Sequence, residues 1–247
     1  MLKKLAVIGA VCAMFTANVS AGTLRLATEP TFAPFEFVNS KTGEVTGFDI
    51  ELAKLLASKN GDTVEVLGMG FDAIIPALMT GMADIGVAAI TITEERSKKI
   101  LFTDPYYEGG LSIVIRKSDT NKIKGPENLK NQTICVQIGT SGFKYSSERI
   151  PGSTVRSFNS ITEAYMELRN GGCRAVVNDR PVNGYFMAKT PDSDKAFTHL
   201  STPIEAERLG IAIAKKNSEL HDRLNKALQE VKANGEYDQL YQKWFGR

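Results

Sequence analysis

Apolar and polar positions alternate from Thr23 to Thr28, and a two-residue period of that kind predicts a strand. The chain continues as Glu29-Pro30-Thr31-Phe32-Ala33-Pro34-Phe35, where two prolines argue against regular structure. Glu29 and Phe32 are therefore expected on a loop beyond the strand's carboxyl end. Residues 50–58 switch to a helical period, with Leu52, Leu55 and Leu56 on one face and Asn60-Gly61 as the stop. A strand over 63–67, a helix over 71–79 burying Ile74, Ile75 and Leu78, and a strand over 84–90 follow. Strand, helix, strand, helix, strand with short turns predicts a parallel sheet covered by helices.

After Tyr106-Tyr107-Glu108-Gly109-Gly110 the rhythm restarts. Strands are expected at 111–116, at 133–137, around Val155 and at 174–178. Helices are expected at 143–150 and from Ser160 to Arg169, the latter opened by a capping box of Ser160 with Glu163. That is a second α/β unit of similar size. Residues 204–208 read as a return crossing into a strand over 209–214. A helix over 219–233, apolar at Leu220, Leu224, Leu228 and Val231, and an amphipathic tail with Tyr237, Leu240, Tyr241 and Trp244 close the chain. Periodicity alone does not say which unit the last strand joins.

The chemistry concentrates in Ala88-Ala89-Ile90-Thr91-Ile92-Thr93-Glu94-Glu95-Arg96. Thr91 with Glu94 three residues later has capping-box spacing, which predicts a helix start. A cation at Arg96 opposes the positive end of such a helix. Taken alone, Arg96 serves equally well in a surface pair with Glu95. Together with the hydroxyls of Thr91 and Thr93 and free N–H groups, its planar guanidinium matches a carboxylate in two-pronged geometry. Gly139-Thr140-Ser141-Gly142 is a glycine-bracketed loop opening a helix; it lacks a nucleotide P-loop's lysine and also suits an ordinary cap. Asp179, at a strand end before Pro181, completes the complement of a zwitterion: a cation for a carboxylate and an anion for an ammonium. Phe32 and Phe71 are placed to flank an elongated side chain, and Glu29 favours a ligand whose far end donates hydrogen bonds or is cationic.

Composition narrows the setting. Residues 1–21 have the pattern of a secretory signal: Lys3 and Lys4, an apolar run, then Val19-Ser20-Ala21, with cleavage expected after Ala21. Cys12 suits a lipid anchor less well, because bulky Val11 precedes it. The sequence has 30 Lys and Arg against 28 Asp and Glu, so losing Lys3 and Lys4 balances the charge. Balance argues against nucleic acid or an anionic membrane surface as partner. The expected location is the periplasm, where Cys135 and Cys173, in expected strands, form a candidate disulfide. His199 and His221, the only histidines, sit at no ligand spacing with a cysteine, so neither metal nor cofactor is expected.

From Thr23 to Gly246 the chain resembles the periplasmic substrate-binding proteins of polar amino acid ABC transporters, and is especially similar to glutamine- and arginine-binding members. The resemblance is carried by Ala27-Thr28-Glu29 through Pro34-Phe35-Glu36-Phe37, Gly47-Phe48-Asp49, Phe71 through Ile74-Ile75-Pro76-Ala77-Leu78, residues 90–96, Gly139-Thr140, and Tyr241 through Lys243-Trp244-Phe245-Gly246. It implies an α/β fold of the two-lobed periplasmic binding protein type II class, each lobe a mixed sheet flanked by helices. Lobe one would hold 22–106 and 208–247, lobe two 111–203, with hinge crossings near 106–110 and 203–207. It further implies that Arg96, helped by Thr91 and Thr140, holds a ligand's α-carboxylate, and that Asp179 and the Ala89 backbone hold its α-amino group. Phe32 and Phe71 would stack on the side chain, with Glu29 and Gln137 reading its tip.

In the same terms, Glu29 and Gln137 depart from the Asp and Lys common in glutamine binders and look more like arginine binders. Ser141 replaces a frequent glycine, and Asn178 stands where some members have His. The expected function is capture of a free L-amino acid, arginine or glutamine, by hinge closure and delivery by a monomer to an inner-membrane permease. Lysine, histidine and ornithine stand behind these two, and Glu29 disfavours an acidic ligand. An amino acid sensor or adhesin, and a cleft lyase of the cyclohexadienyl dehydratase kind, are the rival readings. No nucleophile paired with a base is evident, so no catalysis is expected.

Overall fold

In a computed structural model, described over residues 22–246, two five-stranded sheets form the centres of two lobes. The expected signal sequence and the cleavage expected after Ala21 lie outside the described residues. In the first sheet Thr23–Thr28 is flanked by parallel Thr63–Gly68 and Ile85–Gly86, and Ala212–Ala214 then runs antiparallel to Ile85–Gly86 and to Ile100–Phe102. The chain's late strand thus lies in its first sheet. In the second sheet Thr154–Phe158, Thr133–Gln137 and Ala175–Asp179 are parallel, Tyr107–Arg116 runs against them, and the edge strand Phe197–Leu209 runs against Tyr107–Arg116 in turn.

The central strands of the second sheet are apolar at nearly every position because helices and loops cover both faces. Ile113, Ile115, Ile134, Val136, Ala175 and Val177 pack on one side, whereas Val114, Cys135 and Val176 face the other. Cys135 is bonded to Cys173 with Cα atoms 5.9 Å apart. Cys173 lies in the turn before Ala175–Asp179 and not in the strand itself. Helix Ile161–Asn170 opens with both hydrogen bonds of the expected Ser160 and Glu163 capping box. The last helices close the first lobe. Ser218–Ala233 buries Leu220, Leu224, Ala227, Leu228 and Val231, and Glu236–Phe245 lays Tyr237, Tyr241 and Phe245 around Phe48.

Four expectations are corrected. Thr31–Phe32 is a short strand paired with Glu36–Val38, which pairs in turn with Val45–Thr46; the prolines flank this sheet without occupying its bonded positions. The strand at 84–90 ends at Gly86, because Ala89 takes a positive φ of 46° and turns the chain. The helix expected from Thr91 is only Glu94–Ser97, capped by Thr93, whose hydroxyl accepts from the Arg96 amide; Thr91 is freed to bridge to Leu209. Helix Arg180–Lys189 and the length of strand Phe197–Leu209 were not expected.

Two strands run between the lobes. Tyr107–Arg116 and Phe197–Leu209 pair antiparallel with Gly109 opposite Glu207 and Gly110 opposite Ala206. They approach so closely that a Cβ on Gly110 would lie 2.3 Å from the Glu205 carbonyl oxygen, which only glycine avoids. The register breaks between Leu200 and Glu205.

Candidate ligand-binding site

Carboxyl ends of strands from both lobes converge on one cleft, the arrangement in which open α/β sheets bind ligands. Glu29, Phe32, Phe71, Ala89, Thr91 and Arg96 from the first lobe and Gln137, Thr140 and Asp179 from the second all border one small, tightly closed space. Glu36, Ala88 and Ser141 complete the lining.

At one end the carboxylate of Glu29, 6% exposed, accepts from the Thr31 hydroxyl at 2.8 Å and from Gln137 Nε2 at 3.0 Å. Gln137 belongs to the opposite lobe and also donates to the Asn159 carbonyl at 3.1 Å. Burial raises the Glu29 pKa, while Gln137 and Thr31 pull it back.

At the other end, the guanidinium of Arg96 donates through Nη1 to the Thr91 carbonyl at 2.8 Å and through Nη2 to the Gly139 carbonyl at 3.0 Å. Its Cζ stands 5.3 Å from the centre of the Phe71 ring. Desolvation lowers its pKa, and Glu207, Asp179 and Glu95 raise it. None of these acids is within 4.0 Å, so the guanidinium meets carbonyl dipoles in place of an ion pair.

Asp179 ends Ala175–Asp179 just before Pro181, and its side chain makes no cap bond to the following helix. Burial drives its pKa well above the ordinary carboxylate range; Glu207 reinforces the rise and Arg96 opposes it. Ala89 donates its amide to Asp49 Oδ2 at 2.7 Å, so only its carbonyl can accept from an ammonium. Thr140 caps helix Ser141–Arg149 by accepting from the Phe143 amide, and its hydroxyl donates to the Gln137 carbonyl at 2.8 Å. The Thr91 hydroxyl donates to Glu207 Oε1 at 3.1 Å. Both threonine hydroxyls expected to aid a carboxylate therefore already have partners. Gly142 lets this loop press on the adjacent strand: a Cβ there would lie 2.7 Å from the Val177 carbonyl oxygen.

Sequence reasoning gave no role to three acids beside these residues. Glu36 is 1% exposed on the small antiparallel sheet; a charge between Phe35 and Phe37 was the signal that pointed inward. Asp49 is fully buried and also accepts from the Tyr106 hydroxyl at 2.7 Å. Burial raises Asp49 to about 6 and Glu36 well above its usual value, and each sits in the other's field. Glu207, on the second crossing strand, is 5% exposed. Its pKa is raised by burial and opposed by the hydroxyls of Ser141 and Thr91. Five buried carboxyl groups thus stand in or beside a cleft whose small inner space has Arg96 as its one lining cation among the described residues. Among the described residues no cluster of ligating side chains able to hold a metal ion was found.

The chain matches the profile of bacterial extracellular solute-binding proteins, family 3, over residues 24–247. It is 34% identical over 246 residues to "ABC transporter arginine-binding protein 1" of Escherichia coli (strain K12), covering 99% of both chains. Among solved structures, "An ancestral arginine-binding protein bound to arginine" superposes with a TM-score of 0.86 at 42% identity, covering 91% of this chain and 99% of that one. "An ancestral arginine-binding protein bound to glutamine" gives 0.85 at 41% identity, covering 92% and 99%. The two-lobed architecture, the match along the whole described chain and these relatives agree, and the protein belongs to the bacterial extracellular solute-binding proteins of family 3.

Proposed function

We propose that this protein captures a free cationic L-amino acid, L-arginine foremost, in the periplasm and presents it to an ABC transporter permease. The α-carboxylate lies against Arg96, the α-ammonium between Asp179 and the Ala89 carbonyl, and the aliphatic stem between Phe32 and Phe71. The guanidinium reaches Glu29 and Gln137. Lobe one, residues 22–106 and 208–247, and lobe two, 111–203, close about the paired segments at 106–110 and 203–207. The mature monomer starts after Ala21, and no bond of the ligand is changed.

The observation that carries this reading is the charge balance. Arg96 is the sole cation lining the space among the described residues, against Glu29, Glu36 and Asp179. A neutral zwitterion satisfies Arg96 and one acid, whereas a ligand with a cationic tip also compensates Glu29, and buried charge is tolerable only when compensated. Glutamine is the second reading, because the Gln137 and Glu29 pair offers a hydrogen-bonding partner to a carboxamide and a relative is described with glutamine bound. A thermal-shift series over the twenty amino acids and ornithine decides between them. L-arginine should give the largest rise in Tm. Glutamine, or an acidic amino acid, in first place would overturn the assignment.

A further inference from the structure

Glu207 borders the outer groove of the cleft, not the small space lined by Arg96 and Asp179. It stands on crossing strand Phe197–Leu209, opposite Gly109. Its Oε1 accepts the Thr91 hydroxyl at 3.1 Å, and Thr91 Oγ1 lies 3.4 Å from Ser141 Oγ. A hydroxyl has one proton, so Thr91 gives it to the nearer carboxylate oxygen, and Ser141, whose hydroxyl also supports that carboxylate, stands beside it across the cleft. Thr91 belongs to the first lobe, Ser141 opens helix Ser141–Arg149 of the second, and Glu207 belongs to a connection between them. Oε2 of Glu207 is buried with no hydrogen-bond partner among the described residues. The charged groups around it are Arg96 and Asp179, one from each lobe, and Glu205 on its own strand.

This cluster exists only while the lobes are together. Separating them removes Ser141 from Thr91 and returns Glu207 to water, where an ionised carboxylate is well solvated. Closure must instead hold it with two hydroxyls and the distant field of Arg96. We propose that Glu207 is a closure latch, a positioning residue whose contacts with Thr91 and Ser141 hold the lobes together and set how fast ligand leaves. The proposal rests on the reading that an amino acid is captured between the lobes.

Release of radiolabelled L-arginine from E207A, E207Q, S141A and the E207A/S141A double variant tests it, with small-angle scattering of each free protein. E207A should release arginine about tenfold faster with an association rate changed far less, as expected for a contact made only after docking. E207Q keeps an acceptor oxygen for Thr91 and should stay within about threefold of wild type, and the double variant should release no faster than E207A alone, because the two act as one unit. Wild-type release by E207A, or equal acceleration in E207A and E207Q, would overturn the latch. If E207A does not fold, S141A decides: several-fold faster release supports the latch and an unchanged rate overturns it. If wild type binds no arginine, the functional reading fails, and the free proteins alone decide the latch. E207A must then have a larger radius of gyration than E207Q, and equal radii would overturn it.

Discussion

Arg96 Nη2 donates to the carbonyl of Gly139 at 3.0 Å, so a guanidinium rooted in the first lobe is bonded to the loop that opens a helix of the second. Nη1 holds the Thr91 carbonyl of its own lobe at the same time. The side chain is therefore a strut between lobes, and in the proposed function it is also the charge that meets the ligand's carboxylate. Arg96→Ala should reduce binding of L-arginine by about 3–5 kcal/mol, the penalty for an uncompensated buried charge, so that calorimetry detects no heat of binding. Circular dichroism should show a folded protein, since helix Glu94–Ser97 buries no residue in the core. Near-native affinity in a folded Arg96→Ala variant would remove Arg96 from the site.

In the proposed function Glu29 separates the candidate ligands. Its carboxylate is held by Thr31 and by Gln137 across the cleft, at the end away from Arg96. Glu29→Gln keeps the size but removes the charge and turns one acceptor oxygen into a donor NH2. Hydrogen bonds to charged groups contribute about 1.5–3 kcal/mol, so affinity for arginine should fall about tenfold or more while glutamine changes little. Titrating both ligands into both proteins gives the ratio, and an equal loss for the two would mean that Glu29 does not read the ligand's tip.

The strands and helices with a clean period were legible because one residue in two, or three to four in seven, must face a core. Thr133–Gln137 and the Ser160 cap follow directly from that rule. The nine residues singled out for the cleft border one space because they cluster at strand ends, where parallel topology gathers side chains. What was hidden depends on partners distant in sequence. Thr93 takes the cap in preference to Thr91 because Thr91 is drawn into contact with Leu209 and Glu207. Glu207 carries no local signal, since its burial arises from pairing with Gly109 on a strand almost a hundred residues earlier. Thr31–Phe32 pairs within a sheet too small to show a period.

Cys135 and Cys173 are buried and bonded across a separation of 38 residues. Closing a loop of that length restricts the unfolded chain, worth about 4 kcal/mol by the chain-entropy relation. A Cys135→Ser, Cys173→Ser protein should lose stability of that order in urea. Because neither cysteine lines the cleft, arginine affinity of the folded fraction should change little. A urea midpoint equal to that of wild type would show that the bond contributes nothing to stability.

The buried acids make an unusual pH dependence. Asp49 is raised to about 6, and Glu36 and Asp179 are pushed well above ordinary carboxylates, chiefly by desolvation. A group whose pKa is higher folded than unfolded binds more protons in the folded state, so its stabilising effect is lost as pH rises through the folded value. For Asp49 that window runs from about 4, where the unfolded carboxyl titrates, to about 6. His199, lowered by burial to about 4, works the other way over this interval, but the raised acids Asp49, Glu36 and Asp179 outnumber it, so free protein should melt at a higher temperature at about pH 5 than at about pH 7. Glu36→Gln, which fixes a neutral side chain beside Asp49, should flatten the slope. Ligand binding runs the opposite way, because a cationic amino acid needs Glu29 and Asp179 ionised, and both are raised. Affinity for arginine should therefore weaken on acidification, with protons released on binding. Calorimetry in two buffers of different ionisation enthalpy measures that release; proton uptake on binding would mean that these acids are not the ones that meet the ligand.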